Sequence, residues 1–360
     1  MKTLRRLTIG LAAAAVALFV FGRPVAWVEA ALVTWAVAAG GAPTPWRDVT
    51  LPPREHEAEW QDGGGDVYLP AGTPRAAMVL VPGAAPLGRR EPEVIVLART
   101  LARAEFAVLV PKMNDGGQTA LSPTDAKTVA DALRQLRQWQ PHVPLGLMAI
   151  SNAVAPAIIA ALEPDLAESV AFAVAISGYY ESEVAIHSVT TGVSRKEPND
   201  YGRWIFVRAI ADRLDDPEDV LRLEEIAQLR FRDPKADIAP VAAALGPDGR
   251  AVLALFDNRD PGAVGRLIAA LPRRIRREMR ELNLALHDLS LLRGHLILVH
   301  GLNDRLVSHS ESQRLARAAS GARVSLFLVE GFRHAELGDI GIGNAWTMWR
   351  VMLELLDQRA

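Results

Sequence analysis

From Ala76 onward the chain alternates short, uninterrupted apolar runs with longer amphipathic stretches. The runs are Ala77–Val81, Ala107–Val110, Leu145–Ile150 and Val170–Ile176, and the stretches between them read as helices near 91–104, near 123–139 and from about 153. A run that is apolar at every position suits a strand covered on both faces, and parallel strands need long crossovers, which the helices supply. The pattern therefore predicts an α/β protein with a doubly wound, mostly parallel sheet. Just upstream, His56–Gln61 and Asp66–Leu69 flank Asp62-Gly63-Gly64-Gly65, which reads as a hairpin with its turn on the glycines.

The alternation stops after Gly178. Residues 180–292 hold several helix-like stretches, with Asp260-Pro261 as a good helix start and Ala251–Phe256 ambiguous between strand and helix. The pattern resumes with His295–Val299, a helix near 309–319, Val324–Val329 and a terminal helix near 342–357. An interruption this long is no plain loop, and it reads as a helical cap inserted over the strand ends. The body then divides into a first core part, 56–179, the cap, 180–292, and a second core part, 293–360. One cap helix, from Pro272 to about His287, carries Arg273, Arg274, Arg276, Arg277 and Arg280, with Ile275, Met279, Leu282 and Leu286 marking a buried face. Its basic side reads either as a solvated face or as a contact for anionic headgroups or an acidic substrate.

The first 41 residues differ from the rest. Lys2, Arg5 and Arg6 precede an apolar run from Leu7 to Gly22, and after Arg23-Pro24 a second run reaches Gly41 with Glu29 as its only charge. Trp27 and Trp35 suit a membrane interface. A retained membrane anchor, a cleaved signal peptide and a tight two-helix hairpin all fit. The first is favoured, and by the positive-inside rule it puts the body outside the cytoplasmic membrane. Residues 42–55, with four prolines, read as a linker.

Composition narrows the partners. Half of the 360 residues are apolar and the formal charge is −2, so no overall basic field exists to hold a nucleic-acid backbone. The absence of cysteine removes disulfides, thiolate nucleophiles and Cys-ligated metals. No histidine spacing matches a metal motif and no glycine-rich phosphate loop lies between strand and helix, so neither metal nor cofactor is called for.

In an open parallel sheet, ligands bind beyond the carboxyl ends of the strands. There the sequence places Pro82-Gly83-Ala84-Ala85, Ser151-Asn152-Ala153, His300-Gly301-Leu302-Asn303-Asp304 and Glu330-Gly331-Phe332-Arg333-His334. Ser151, Asp304 and His334 are a nucleophile, an acid and a base, each just past a strand and in that chain order. This order and placement resemble the α/β-hydrolase superfamily over roughly 56–358, and Gly301–Val307 is similar to its acid loop. The resemblance implies a serine hydrolase with a catalytic triad and an oxyanion hole from the N–H groups of Ala84 and Asn152, with Ala85 a substitute for Ala84. A carboxylic ester is the default among small-molecule or lipid-like acyl substrates.

The elbow departs from the superfamily's Gly-x-Ser-x-Gly, reading Ala149-Ile150-Ser151-Asn152-Ala153. Ser151 could instead simply cap the following helix. Ala175-Ile176-Ser177 repeats the same tripeptide one strand later, but no helix follows at once, so Ser177 reads as a wall residue. His300 reads as packing. The alternative to an enzyme is a membrane-tethered binding or scaffold protein of the same fold.

Overall fold

The computed structural model describes residues 23–83, 87–113, 122–192, 200–333, 336–337 and 342–359. Eight strands form one sheet: β1 (Arg54–Trp60), β2 (Gly63–Leu69), β3 (Ala76–Val81), β4 (Phe106–Pro111), β5 (Leu145–Ile150), β6 (Val170–Ile176), β7 (His295–Gly301) and β8 (Arg323–Val329). Their order is β1-β2-β4-β3-β5-β6-β7-β8. β1 and β2 join antiparallel at one edge, and every pairing from β4 to β8 is parallel. The expected doubly wound, mostly parallel sheet is present.

The strands alternate between two buried faces, as the pleat requires. Ala77, Val79 and Val81 pack with Val129, Leu133 and Leu136 of the helix Pro123–Trp139 and with the helices Val154–Ala161 and Ser310–Ala318. Ala76, Met78 and Leu80 pack on the other face with helix Pro92–Arg103 and the terminal helix Ile342–Leu356. This second face also receives helix Pro24–Ala38, through buried Ala30, Val33 and Ala36.

That docking differs from the expected division at residue 41. The second apolar run covers the sheet's helix layer: Trp27 meets Trp349 edge to face at 6.3 Å, and Trp349 Nε1 donates to the Trp27 carbonyl at 2.8 Å. Glu29 takes both Nη groups of Arg359 at 2.7 Å. The segment read as a linker likewise belongs to the body, with Trp46 in the core, Arg103 Nη1 donating to the Thr50 carbonyl at 2.7 Å, and β1 beginning at Arg54. No helix among the described residues is long and apolar enough to cross a membrane. The first run, Leu7–Gly22, lies outside them.

The hairpin also turns earlier than expected. Gly63, Gly64 and Gly65 lie inside β2, because a Cβ at Gly65 would stand 2.5 Å from the Val110 carbonyl oxygen of the next strand. Gly65 serves close approach to the next strand, and none of the three forms the turn.

Between β6 and β7 the cap is helical throughout its described elements. It has a core of its own, with Trp204, Val207, Leu223, Ile226, Val252 and Phe256 buried together. Ala251–Phe256 falls within helix Pro247–Asp257. Buried Asp219 holds that helix's start by accepting from the amides of Gly246 (2.6 Å) and Gly249 (2.9 Å). Asp260 caps the next turn by accepting from Gly262 N at 2.9 Å, as its Asp-Pro start predicts. The arginine-rich helix is shorter than expected, Arg273–Glu281. The chain leaves it at Leu282, and Leu286 ends exposed in a separate 3-10 turn rather than on a buried face.

Candidate active site

The parallel register aligns the strand ends. Val81 pairs with Ala149, Ile150 with Ile176, Ile176 with Val299 and Gly301 with Val329, so the loops after β3, β5, β6, β7 and β8 leave from one edge of the sheet.

Ser151 follows β5 directly at φ 57°, the left-handed region that costs a residue with a Cβ on the order of 1 kcal/mol or more. A 3-10 turn, Ser151–Ala153, then runs into helix Val154–Ala161. This is a sharp strand-to-helix turn with the serine at its apex, partly exposed, and with the helix N-terminus behind it. Ala149 and Ala153, which stand where the elbow motif has glycine, are both buried. A Cβ added to Gly83 would meet the Ile150 carbonyl oxygen at 2.8 Å and Ser151 Cβ at 3.0 Å. The loop after β3 therefore lies directly against the elbow, and only glycine allows that approach. Ala84 and Ala85, the expected and substitute oxyanion donors of that loop, lie outside the described residues; the Asn152 amide lies in the first turn after the serine.

Asp304 is buried three residues past β7. Its Oδ1 accepts from the amides of Leu306 (2.8 Å) and Val307 (3.0 Å), which fixes the carboxylate plane, and its Oδ2 lies 3.4 Å from His300 Nε2. His300 is itself fully buried, with Nδ1 2.7 Å from Ser312 Oγ and Nε2 3.0 Å from the Val307 carbonyl. Both ring nitrogens are engaged by the loop's scaffold, in keeping with a packing role.

His334 and Ala335 lie outside the described residues. On either side of them in sequence, β9 (Phe332–Arg333) and β10 (Glu336–Leu337) pair antiparallel, Arg333 opposite Glu336. A Cβ on Gly301 would fall 1.9 Å from the Phe332 carbonyl oxygen, so this ribbon presses on the end of β7 where the acid loop starts. The structure thus joins the Ser151 elbow to the Gly83 loop, and the start of the Asp304 loop to β9.

Ser177, read from the sequence as a wall residue, ends β6 in an unusual setting. It is wholly buried, its amide donates to the Val299 carbonyl at 2.9 Å, and it too has a left-handed φ, 51°. Its Oγ has no hydrogen-bond partner among the described residues. Burial pushes the phenol of neighbouring Tyr179 up, so it stays protonated.

Sequence reasoning missed Glu311. It is buried in the first turn of helix Ser310–Ala318, and its Oε2 accepts from the amides of Tyr180 (3.1 Å) and Glu181 (2.8 Å), pinning the chain as it leaves β6. Arg314 pairs with Glu311 at 3.2 Å and also with Glu181, and its guanidinium lies 5.3 Å over the Tyr180 ring. In the sequence Glu311 is merely an acid at a helix start, with no local mark of its distant partners.

Solved structures share this architecture. The esterase LipA from Xanthomonas oryzae superposes with a TM-score of 0.52 at 14% identity, covering 82% of this chain and 86% of that one. EstE1, a thermostable carboxylesterase from a metagenomic library, superposes at 0.50 and 14%, covering 94% and 96%. The chain has the α/β-hydrolase fold. An acylaminoacyl peptidase bound to Z-Gly-Gly-Phe-chloromethyl ketone superposes at 0.51 and 11% identity over 86% of this chain, which spans only 42% of the peptidase. No family model and no curated protein matches the sequence.

Proposed function

We propose that the protein is a serine hydrolase that cleaves a carboxylic ester or related acyl bond through an acyl-enzyme on Ser151. The observation that carries this reading is the left-handed Ser151 at a strand-to-helix turn, packed against Gly83. A strained apex presents Oγ to a substrate while the helix dipole and the Asn152 amide favour negative charge beside it. In the proposed sequence His334 takes the Ser151 proton as Oγ attacks the acyl carbon, and returns it to the departing alkoxide. Asp304 orients the imidazole and stabilises its protonated form; water then repeats the cycle and frees the acid. The hydrolases among the similar folds support acyl transfer in general. The ester is the simplest acyl group for this machinery, and that choice rests on analogy of fold. Alanine at 149 and 153 favours one rival, a non-catalytic binding protein that kept the fold.

A serine-reactive fluorophosphonate separates the two, with p-nitrophenyl esters of graded chain length as substrates. The enzyme reading predicts labelling and ester turnover that both vanish in Ser151→Ala; a wild-type protein that neither labels nor turns over any ester points to the binding protein.

We also propose a tether to the membrane through Leu7–Gly22, with the body on the outer side of the positively charged Lys2, Arg5 and Arg6. Helix Pro24–Ala38, which follows at once, carries Glu29 as its only charge, and its outward side exposes Val25, Val28 and Trp35. Such a surface suits a bilayer interface. Protease added to spheroplasts should digest the body; protection equal to that of a cytoplasmic control would overturn the topology.

A further inference from the structure

The arginine-rich helix of the cap borders a cavity of about 690 Å³, shared with the helices Val264–Ala270 and Ser182–Thr191. Arg273, Arg276, Arg277 and Arg280 line it. Two carboxylates line it too, Glu183 and Glu281, so four guanidiniums face two acids. Arg277 stands 3.7 Å from Glu281. Arg274, not in the lining, takes Glu278 at 3.1 Å and Asp215 at 3.3 Å. Among the described residues no carboxylate pairs with Arg273, Arg276 or Arg280, which recur at i, i+3 and i+7 on one side of the helix. Like charges at such spacing repel. The Nε of Arg276 is buried with no acceptor among the described residues, which leaves a strong donor unsatisfied there.

The same cavity has an apolar wall. Ile268, Met279 and Leu286 line it, and Leu286 is 61% exposed where its helix was expected to bury it. Unpaired guanidinium forks beside an aliphatic surface match an anion that carries an alkyl chain. A phosphate monoester brings close to two negative charges and three acceptor oxygens at neutral pH, enough for several forks at once.

We propose that this cap cavity binds an alkyl phosphate, with the phosphate on Arg273, Arg276 and Arg280 and the chain along Ile268, Met279 and Leu286. Neither Ser151 nor Asp304 lines it, so it is a second site. Its wall is nonetheless tied to the strand exit beside the candidate active site. Ser182 Oγ donates to the Met279 carbonyl at 3.0 Å, and the Ala285 amide donates to the Tyr180 carbonyl at 3.2 Å. The phosphate could belong to a soluble monoester or to a lipid headgroup such as phosphatidic acid; the recognition chemistry is the same.

Calorimetric titration of the full chain with n-octyl phosphate, below its micellar concentration, tests the site, with inorganic phosphate and n-octanol as controls. Octyl phosphate should saturate one site at least about tenfold more tightly than either control, and Arg276→Gln should weaken it about tenfold or more. Arg280→Gln, on the exposed side, should also weaken it, and serves if Arg276→Gln fails to fold. Arg274→Gln, outside the cavity, should bind like the wild type. Displacement of octyl phosphate by phosphatidylcholine vesicles containing phosphatidic acid, but not by phosphatidylcholine alone, assigns the lipid source; no displacement by either assigns the soluble one. Affinity no better than that of inorganic phosphate, or equal affinity in folded Arg276→Gln and Arg280→Gln, overturns the proposal.

Discussion

Ser151 and Ser177 end neighbouring strands with the same Ala-Ile-Ser tripeptide, pair through Ile150 and Ile176, and share a left-handed backbone, φ 57° and 51°. They differ in everything else. Ser151 is partly exposed, and the chain turns straight into a helix behind it. Ser177 is buried, its hydroxyl is unpaired, and the next helix waits until Ser182. The strain at Ser177 has a packing cause: a Cβ on the next residue, Gly178, would lie 2.5 Å from Val154 Cβ, so the chain leaving β6 must bend to pass over the start of the elbow helix. Backbone strain alone therefore does not mark a nucleophile. What the proposed nucleophile Ser151 adds is exposure and a helix N-terminus.

The largest expected effect separates the two serines directly. Ser151→Ala and His334→Ala should each lower ester turnover on the order of 10³-fold or more with the fold retained, and Asp304→Asn should lower it nearly as far. Combining any two should add little, since the three act as one unit. Full activity in Ser151→Ala, with loss in Ser177→Ala, would invert the comparison.

Next comes the neighbour that only Ser151 has. Gly83→Val would drive a side chain into the Ile150 carbonyl and Ser151 Cβ, at 2.8 and 3.0 Å. Turnover should fall roughly 10- to 100-fold through a displaced elbow, with a smaller change in KM, because the oxyanion donors act in the transition state. Steady-state kinetics on the folded variant decide it, and wild-type kcat would detach the β3 loop from the site.

The sequence carries the sheet well because its signal is local. β5, β6 and helix Pro123–Trp139 lie where the apolar runs and prolines put them, each bounded by residues that end the pattern on the spot. Helix Pro24–Ala38 was not legible in the same way. An apolar helix looks alike whether lipid or protein covers it, and the clue, Glu29, finds its partner Arg359 only 330 residues later. The glycines of β2 mislead for a related reason: a turn and a close approach call for the same residue, and Val110 decides which it is. Residue types and strand order put Ser151 and Asp304 just past β5 and β7, where they lie, while the left-handed Ser177 and the grip of Glu311 on the β6 exit depend on contacts between distant segments.

The smallest effect is the sharpest test of what Ser177 is. Its Oγ is buried without a partner among the described residues, which leaves its desolvation cost unmatched there. Ser177→Ala removes that cost and leaves φ as strained as before, and the protein should gain about 1 kcal/mol in urea unfolding. Ser177→Gly also relieves the left-handed backbone, but loosens the unfolded chain, so its gain should be similar rather than larger. In both, ester turnover should stay within about twofold of wild type, since no transition-state contact is removed. A loss of stability in Ser177→Ala would mean that the hydroxyl is satisfied in solution. A loss of turnover with stability unchanged would make Ser177 part of the acyl site, and the two tripeptides would then differ in role less than their surroundings imply.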